Sequence, residues 1–236
     1  MKRTLPNLIS LVLVPWLAGA TALGGCESTK KEKNATASGQ PLATSSQAQT
    51  AQSTPGAAGA QIPEHAFDID PSLLGLTYED AALGIRFAPP AGWPPLEAAL
   101  MEQTQQAYEK FAKSQQDDQF VSRPVRMFYE KDKRFFMILS SFASWPAPMD
   151  PITAMDTYRR RVAARMPNTV LQDGIYRHGK LVIYHILLSN EIMANTRLVV
   201  IQEGHAPIQI DYLVPMQTYA GLTKTLEASI GSIQPL

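Results

Sequence analysis

Leu181-Val182-Ile183-Tyr184-His185-Ile186-Leu187-Leu188-Ser189 is apolar on both of its alternating faces, broken only by Tyr184 and His185. Such a strand fits near the centre of a sheet that is covered on both sides. Residues 169–177, 197–202 and 208–214 also read as strands. The turns between them carry His178-Gly179, Asn190 through Asn195, and Gly204-His205-Ala206-Pro207. Short polar turns between consecutive strands predict a meander, so the sheet should be mainly antiparallel.

Helical patterns flank this meander. Residues 216–230 place Tyr219, Leu222, Leu226 and Ile230 on one face. Before the meander, Asp150-Pro151 is a helix start, because Asp caps free amides and Pro suits the first helical position. Ile152, Met155, Val162 and Met166 then form the expected apolar stripe, ended by Pro167. Residues 125–129 and 135–142 read as two further strands joined through Lys131-Asp132-Lys133. Residues 96–116 read as a helix with Leu96, Leu100, Ala107, Tyr108 and Phe111 along one side. The predicted fold is α/β, a mainly antiparallel sheet with helices packed on it.

Leu83, Ile85 and Phe87 alternate with Gly84, Arg86 and Ala88, the period of a half-buried strand, and residues 89–95 then force a turn. Gly84-Ile85-Arg86-Phe87 followed by Pro90-Ala91-Gly92-Trp93 resembles the opening of PsbP-like proteins. The close is similar too: a strand over 208–214, Tyr219, and a helix running into Ser229-Ile230-Gly231-Ser232-Ile233. The resemblance spans about residues 76–233 and implies an α/β/α sandwich, shared with DcrB-like bacterial lipoproteins. It also implies an accessory or binding role rather than catalysis. It transfers no binding residues, since the matching positions are structural, with Trp93 at a sheet edge and Gly92 in the turn.

The amino terminus speaks to location. Lys2 and Arg3 precede Leu8, Ile9, Leu11, Val12, Leu13, Val14, Trp16 and Leu17, an apolar run interrupted by Ser10 and Pro15. It falls short of the roughly 20 apolar residues of a membrane-spanning helix and has the form of an export signal. Two processing readings fit. Cleavage after Ala18-Gly19-Ala20 would leave a soluble protein with a free thiol. Leu23-Gly24-Gly25-Cys26 resembles a lipobox, whose cysteine is acylated and becomes the new N-terminus. Cys26 is the chain's single cysteine, and an exported free thiol invites oxidation. The lipid reading is therefore preferred. Glu27, rather than Asp, follows the cysteine, which by resemblance to enteric lipoproteins implies the outer membrane, facing the periplasm.

The expected organisation is a signal peptide over 1–25, a lipidated N-terminus and flexible linker over 26–70, and one domain over 71–236. The linker is rich in Ser, Thr, Ala, Gln, Gly and Lys and has too little apolar surface to offset the entropy of ordering it. Without the leader, 19 basic residues stand against 21 acidic ones. That near-neutrality gives no electrostatic case for nucleic-acid binding. With Cys26 committed to lipid, no intrachain disulfide is available.

No nucleophile elbow, phosphate loop, dinucleotide fingerprint or zinc motif occurs, so no catalytic residue, metal or cofactor is expected. His185 reads as a hydrogen-bonded core histidine, while His178 and His205 sit in turns that favour exposure. Glu64, His65, Asp68 and Asp70 are the densest ligand-like group, but a polar junction of tether and domain explains them. Arg159, Arg160, Arg161 and Arg165 offer a docking patch for an anionic partner, with a solvated helix face as the simpler account. The expected role is a non-enzymatic envelope module that docks onto another envelope protein. The alternative is a small-molecule or lipid carrier, with a hydrolase behind both.

Overall fold

The computed structural model describes residues 61–114, 120–130, 132–142, 145, 150–166 and 169–236. The leader, Lys2, Arg3, Leu23, Gly24, Gly25, Cys26 and the linker through residue 60 lie outside the described residues. So do Lys131, Pro167, the last residues of the helix predicted over 96–116, and the side chain of Phe111.

In chain order the elements are β1 (Tyr78–Asp80), β2 (Ile85–Phe87), α1 (Ala98–Ser114), β3 (Ser122–Glu130), β4 (Phe135–Phe142) and α2 (Pro151–Arg165). Then follow β5 (Val170–His178), β6 (Leu181–Ser189), β7 (Met193–Ile201), β8 (Ile208–Pro215), α3 (Met216–Gly231) and β9 (Gln234–Pro235). A six-stranded sheet has the order β3-β4-β8-β7-β6-β5, and a small sheet has the order β1-β2-β9. Every strand pairing is antiparallel. The fold class is therefore the one expected, a single α/β domain.

The large sheet is covered on both faces. On one face Leu181, Ile183, Leu198, Ile210, Tyr212 and Leu139 pack with Leu226 and Ile230 of α3 and with Ile85 and Phe87 of the small sheet. On the other, α1 covers Met127, Phe136, Ile138 and Leu213, while α2 covers Phe142, Tyr184, Ile186, Leu188 and Val199. Leu181–Ser189 is buried on both faces for that reason. It is not the central strand, however. It lies one strand in from an edge, and β8 and β7 hold the centre.

Two local expectations change. The stripe of α2 is Ala154, Met155, Tyr158 and Val162, whereas Ile152 is 44% exposed. Asp150 does cap the helix, accepting from the amides of Ile152 and Thr153. Strand β7 begins at Met193, four residues before its expected start at 197. Asn195, Thr196 and Arg197 read as turn or strand-end residues because they are polar, yet all three are buried.

The sheet edges are managed by local chain. On β3, Met127 O accepts from Leu96 N, Tyr129 N donates to Pro94 O, and Pro124 O accepts from Gln105 Nε2. Pro124 has no amide to expose. On β5, Arg177 exchanges backbone hydrogen bonds with Pro63 and His65. Residues 63–70 thus pack on the body, so the linker expected over 26–70 overlaps the domain. Backbone pairing and Phe67 secure a segment whose polar composition suggested a free tether.

Candidate functional site: a polar centre beneath two helices

Alternating polar residues on β7 and β8 meet on the face covered by α1 and α2. Arg197 and Asp211 are direct cross-strand partners. Arg197 Nε donates to Asp211 Oδ1 at 2.7 Å, and the side chains are 6% and 0% exposed. Asn195 Nδ2 also donates to Asp211 Oδ1 at 2.9 Å, and Gln209 Nε2 donates to Asp211 Oδ2 at 2.5 Å. From α2, the Tyr158 hydroxyl donates to Gln209 Oε1 at 2.7 Å and accepts from Arg197 at 3.4 Å.

The electrostatics follow from this enclosure. Burial alone pulls the Arg197 pKa down, but the Asp211 charge and its hydrogen bond outweigh that and hold it above the ordinary arginine range. Burial raises the Tyr158 hydroxyl. Burial also raises Tyr108 of α1 to about 12, against a hydrogen bond with Ser122 and the charge of Arg197. Asp211 is saturated by donors and sealed from solvent, so its carboxylate is committed to joining strands and α2. Two polar atoms nearby on the same face, Ser140 Oγ and Asn195 Oδ1, are buried without a hydrogen-bond partner.

Sequence reasoning missed this centre. Its signal was present as Gln209 and Asp211 alternating with Ile208, Ile210 and Tyr212. Polar residues at period two inside an apolar strand usually mark the solvent face, which is how they read without knowledge of α2.

The arginines proposed for docking divide. Arg159 Nε lies 2.9 Å from Asp173 Oδ1, and Asp173 Oδ2 accepts from the Tyr184 hydroxyl at 2.9 Å, so this arginine ties α2 to β5 and β6. Arg160 pairs with Asp156 one turn earlier at 2.9 Å. Arg161 lies over the Phe120 ring, 5.7 Å from its centroid. Arg165 is half-buried in the last turn of α2.

Glu64, His65, Asp68 and Asp70 are not brought together. Glu64 accepts from Gly179 N, His65 packs on Phe67 and Tyr176, and Asp70 caps a short 3-10 turn through Ser72. Among the described residues no group of three or more His, Cys, Asp or Glu side chains could hold a metal ion. His205 is exposed as expected. His178 is half-buried, with Nε2 2.9 Å from Gly231 O. His185 departs from its expected hydrogen bond, since its Nε2 is buried and unpartnered. Trp93 is buried against Phe135, with ring centroids 5.6 Å apart. Among the described residues no helix is long and apolar enough to cross a membrane.

No protein-family model and no curated protein matches the chain. Solved structures similar to it include the solution structure of cyanobacterial PsbP (CyanoP) from Synechocystis sp. PCC 6803. That similarity covers 68% of this chain and 92% of the other, at 15% identity and a TM-score of 0.41. No residue role is transferred from it.

Proposed function

We propose that this chain is an exported bacterial lipoprotein, anchored by acyl chains on Cys26, whose folded body is a non-enzymatic docking or accessory module of the cell envelope. The observation that carries this reading is Lys2-Arg3, a short apolar run and Leu23-Gly24-Gly25-Cys26, which holds the chain's one cysteine. Glu27 supports the outer membrane as its site, facing the periplasm. The pairing of Arg197, Asp211, Gln209, Asn195 and Tyr158 with one another supports a non-catalytic body. The partner is another envelope protein. Arg161 and Arg165, one turn apart on the same face of α2, mark the centre of the docking patch.

Detergent phase partition of the wild-type chain and Cys26→Ser tests the anchor. The wild type should enter the detergent phase and the variant the aqueous phase. A mature N-terminus with a bare thiol, or cleavage downstream of Cys26, overturns it. Crosslinking in intact envelopes should then return one specific protein. A small molecule that stays bound through native mass spectrometry, with no such protein, would favour the carrier instead.

A further inference from the structure

The chain joins the folded body through a short strap over residues 63–69. Pro63 O accepts from Arg177 N and His65 N donates to Arg177 O, both at 2.8 Å, so the strap runs parallel to the end of β5. Phe67 is its main apolar contact. Its ring lies 4.5 Å from that of His65, 5.1 Å from that of His178 and 5.8 Å from that of Tyr176. Gly231, the last residue of α3, makes room for it. A Cβ there would lie 2.5 Å from Phe67 Cβ and 2.9 Å from Ile69 Cγ1. Of residues 61–70 all but Ile62 and Phe67 are exposed. A segment with so few buried contacts opens locally at far lower free energy than the sheet beneath it.

That sheet carries His185 on the face toward the strap. Gly174 stands opposite on β5 and Leu198 opposite on β7. Titratable neighbours on this side are His65 on the strap, Tyr78 on β1, Tyr176 and His178 on β5, Tyr212 on β8 and Tyr219 on α3, with Glu64 bonded to Gly179 at the hairpin turn. Among these, His65 is the group whose charge bears on His185. With Nε2 sealed and unpartnered, a cationic His185 has no acceptor for its proton while the strap is down.

We propose that the strap is an acid-released latch: protonation of His185 beneath it drives residues 63–69 off the edge of β5. Lifting the strap removes the like charge of His65 and admits water to His185. Burial first, and His65 second, hold the pKa of His185 down to about 4 in the closed state. The open state therefore binds protons more readily, and it gains population as pH falls. Release also leaves Arg177 N–H and C=O without their strap partners, as on an open sheet edge.

Hydrogen exchange of the full chain in detergent micelles at pH 7.5 and pH 5.0, corrected for intrinsic rates, tests the latch. Protection at His65 and Arg177 should fall about tenfold or more at pH 5.0, while β7 and β8 keep theirs. Gly231→Ala, which displaces Phe67 without removing a titratable group, should show the open signal at both pH values. His185→Phe should lose most of the pH response, and His65→Gln, which removes only the smaller of the two causes, should lose part of it. If His185→Phe does not fold, His185→Gln takes its place with the same expected loss. Equal protection of the wild type at both pH values, or an undiminished response in the histidine variants, overturns the proposal.

Discussion

Arg197 and Asp211 form an ion pair sealed from water between neighbouring strands. Removing a charge pair from water costs several kcal/mol per ion, and the pair recovers this only with good geometry and satisfied neighbours. Here Asn195 and Gln209 complete the carboxylate, and Tyr158 completes Gln209. Breaking such a pair on one side leaves an uncompensated buried charge. Asp211→Ala should therefore destabilise the protein by about 3–5 kcal/mol. Arg197→Met combined with Asp211→Leu should cost less than the sum of the two single changes. Urea unfolding of the two singles and the double checks this, and strict additivity would refute the coupling.

At the scale of elements, patterning set the type of each piece and contacts set its limits. The alternation at Leu83, Ile85 and Phe87 appears as β2, with Ile85 and Phe87 each 1% exposed. The turn before it depends on Gly84, whose φ is +66° and whose carbonyl accepts from Leu236 N at 2.9 Å. An L side chain in that left-handed conformation costs about 1–2 kcal/mol. A Cβ there would also lie 2.3 Å from His205 Nε2, an exposed ring that has room to swing away. Gly84→Ala should thus lower stability by about 1–2 kcal/mol and Tm by roughly 2–8 °C, measured by thermal circular dichroism. Helix α2 shows where patterning falls short. Its cap was legible in Asp150-Pro151, but its buried stripe includes Tyr158 because a polar partner, Gln209, waits beneath it. A tyrosine at that spacing does not announce such a partner.

The whole molecule hangs on two strands. β7 and β8 contribute side chains to both covered faces, so neither face can come apart without disturbing the other. Unfolding at pH 7 should be one cooperative transition, with coincident near- and far-ultraviolet circular dichroism curves; separated midpoints would contradict a shared core. Stability should also depend on pH through His185. Its folded pKa is depressed, so its contribution is complete above the unfolded value near 6.5 and declines as pH falls toward about 4. The full loss is at most about 3 kcal/mol, and less if local release of the strap lets the ring charge first. Sequence alone determined the α/β class, the order of elements from β2 through α3, the capped start of α2 and the character of the β6 stretch. All of these follow from local periodicity, capping and turn chemistry, which act between near neighbours in the chain. Tertiary structure alone decided that β8 and β7 are central, that residues 63–70 belong to the body, and that Asn195, Arg197, Gln209 and Asp211 face inward. Those outcomes depend on which distant segment covers a given face, and a polar side chain carries no local mark of whether it will meet water or a partner.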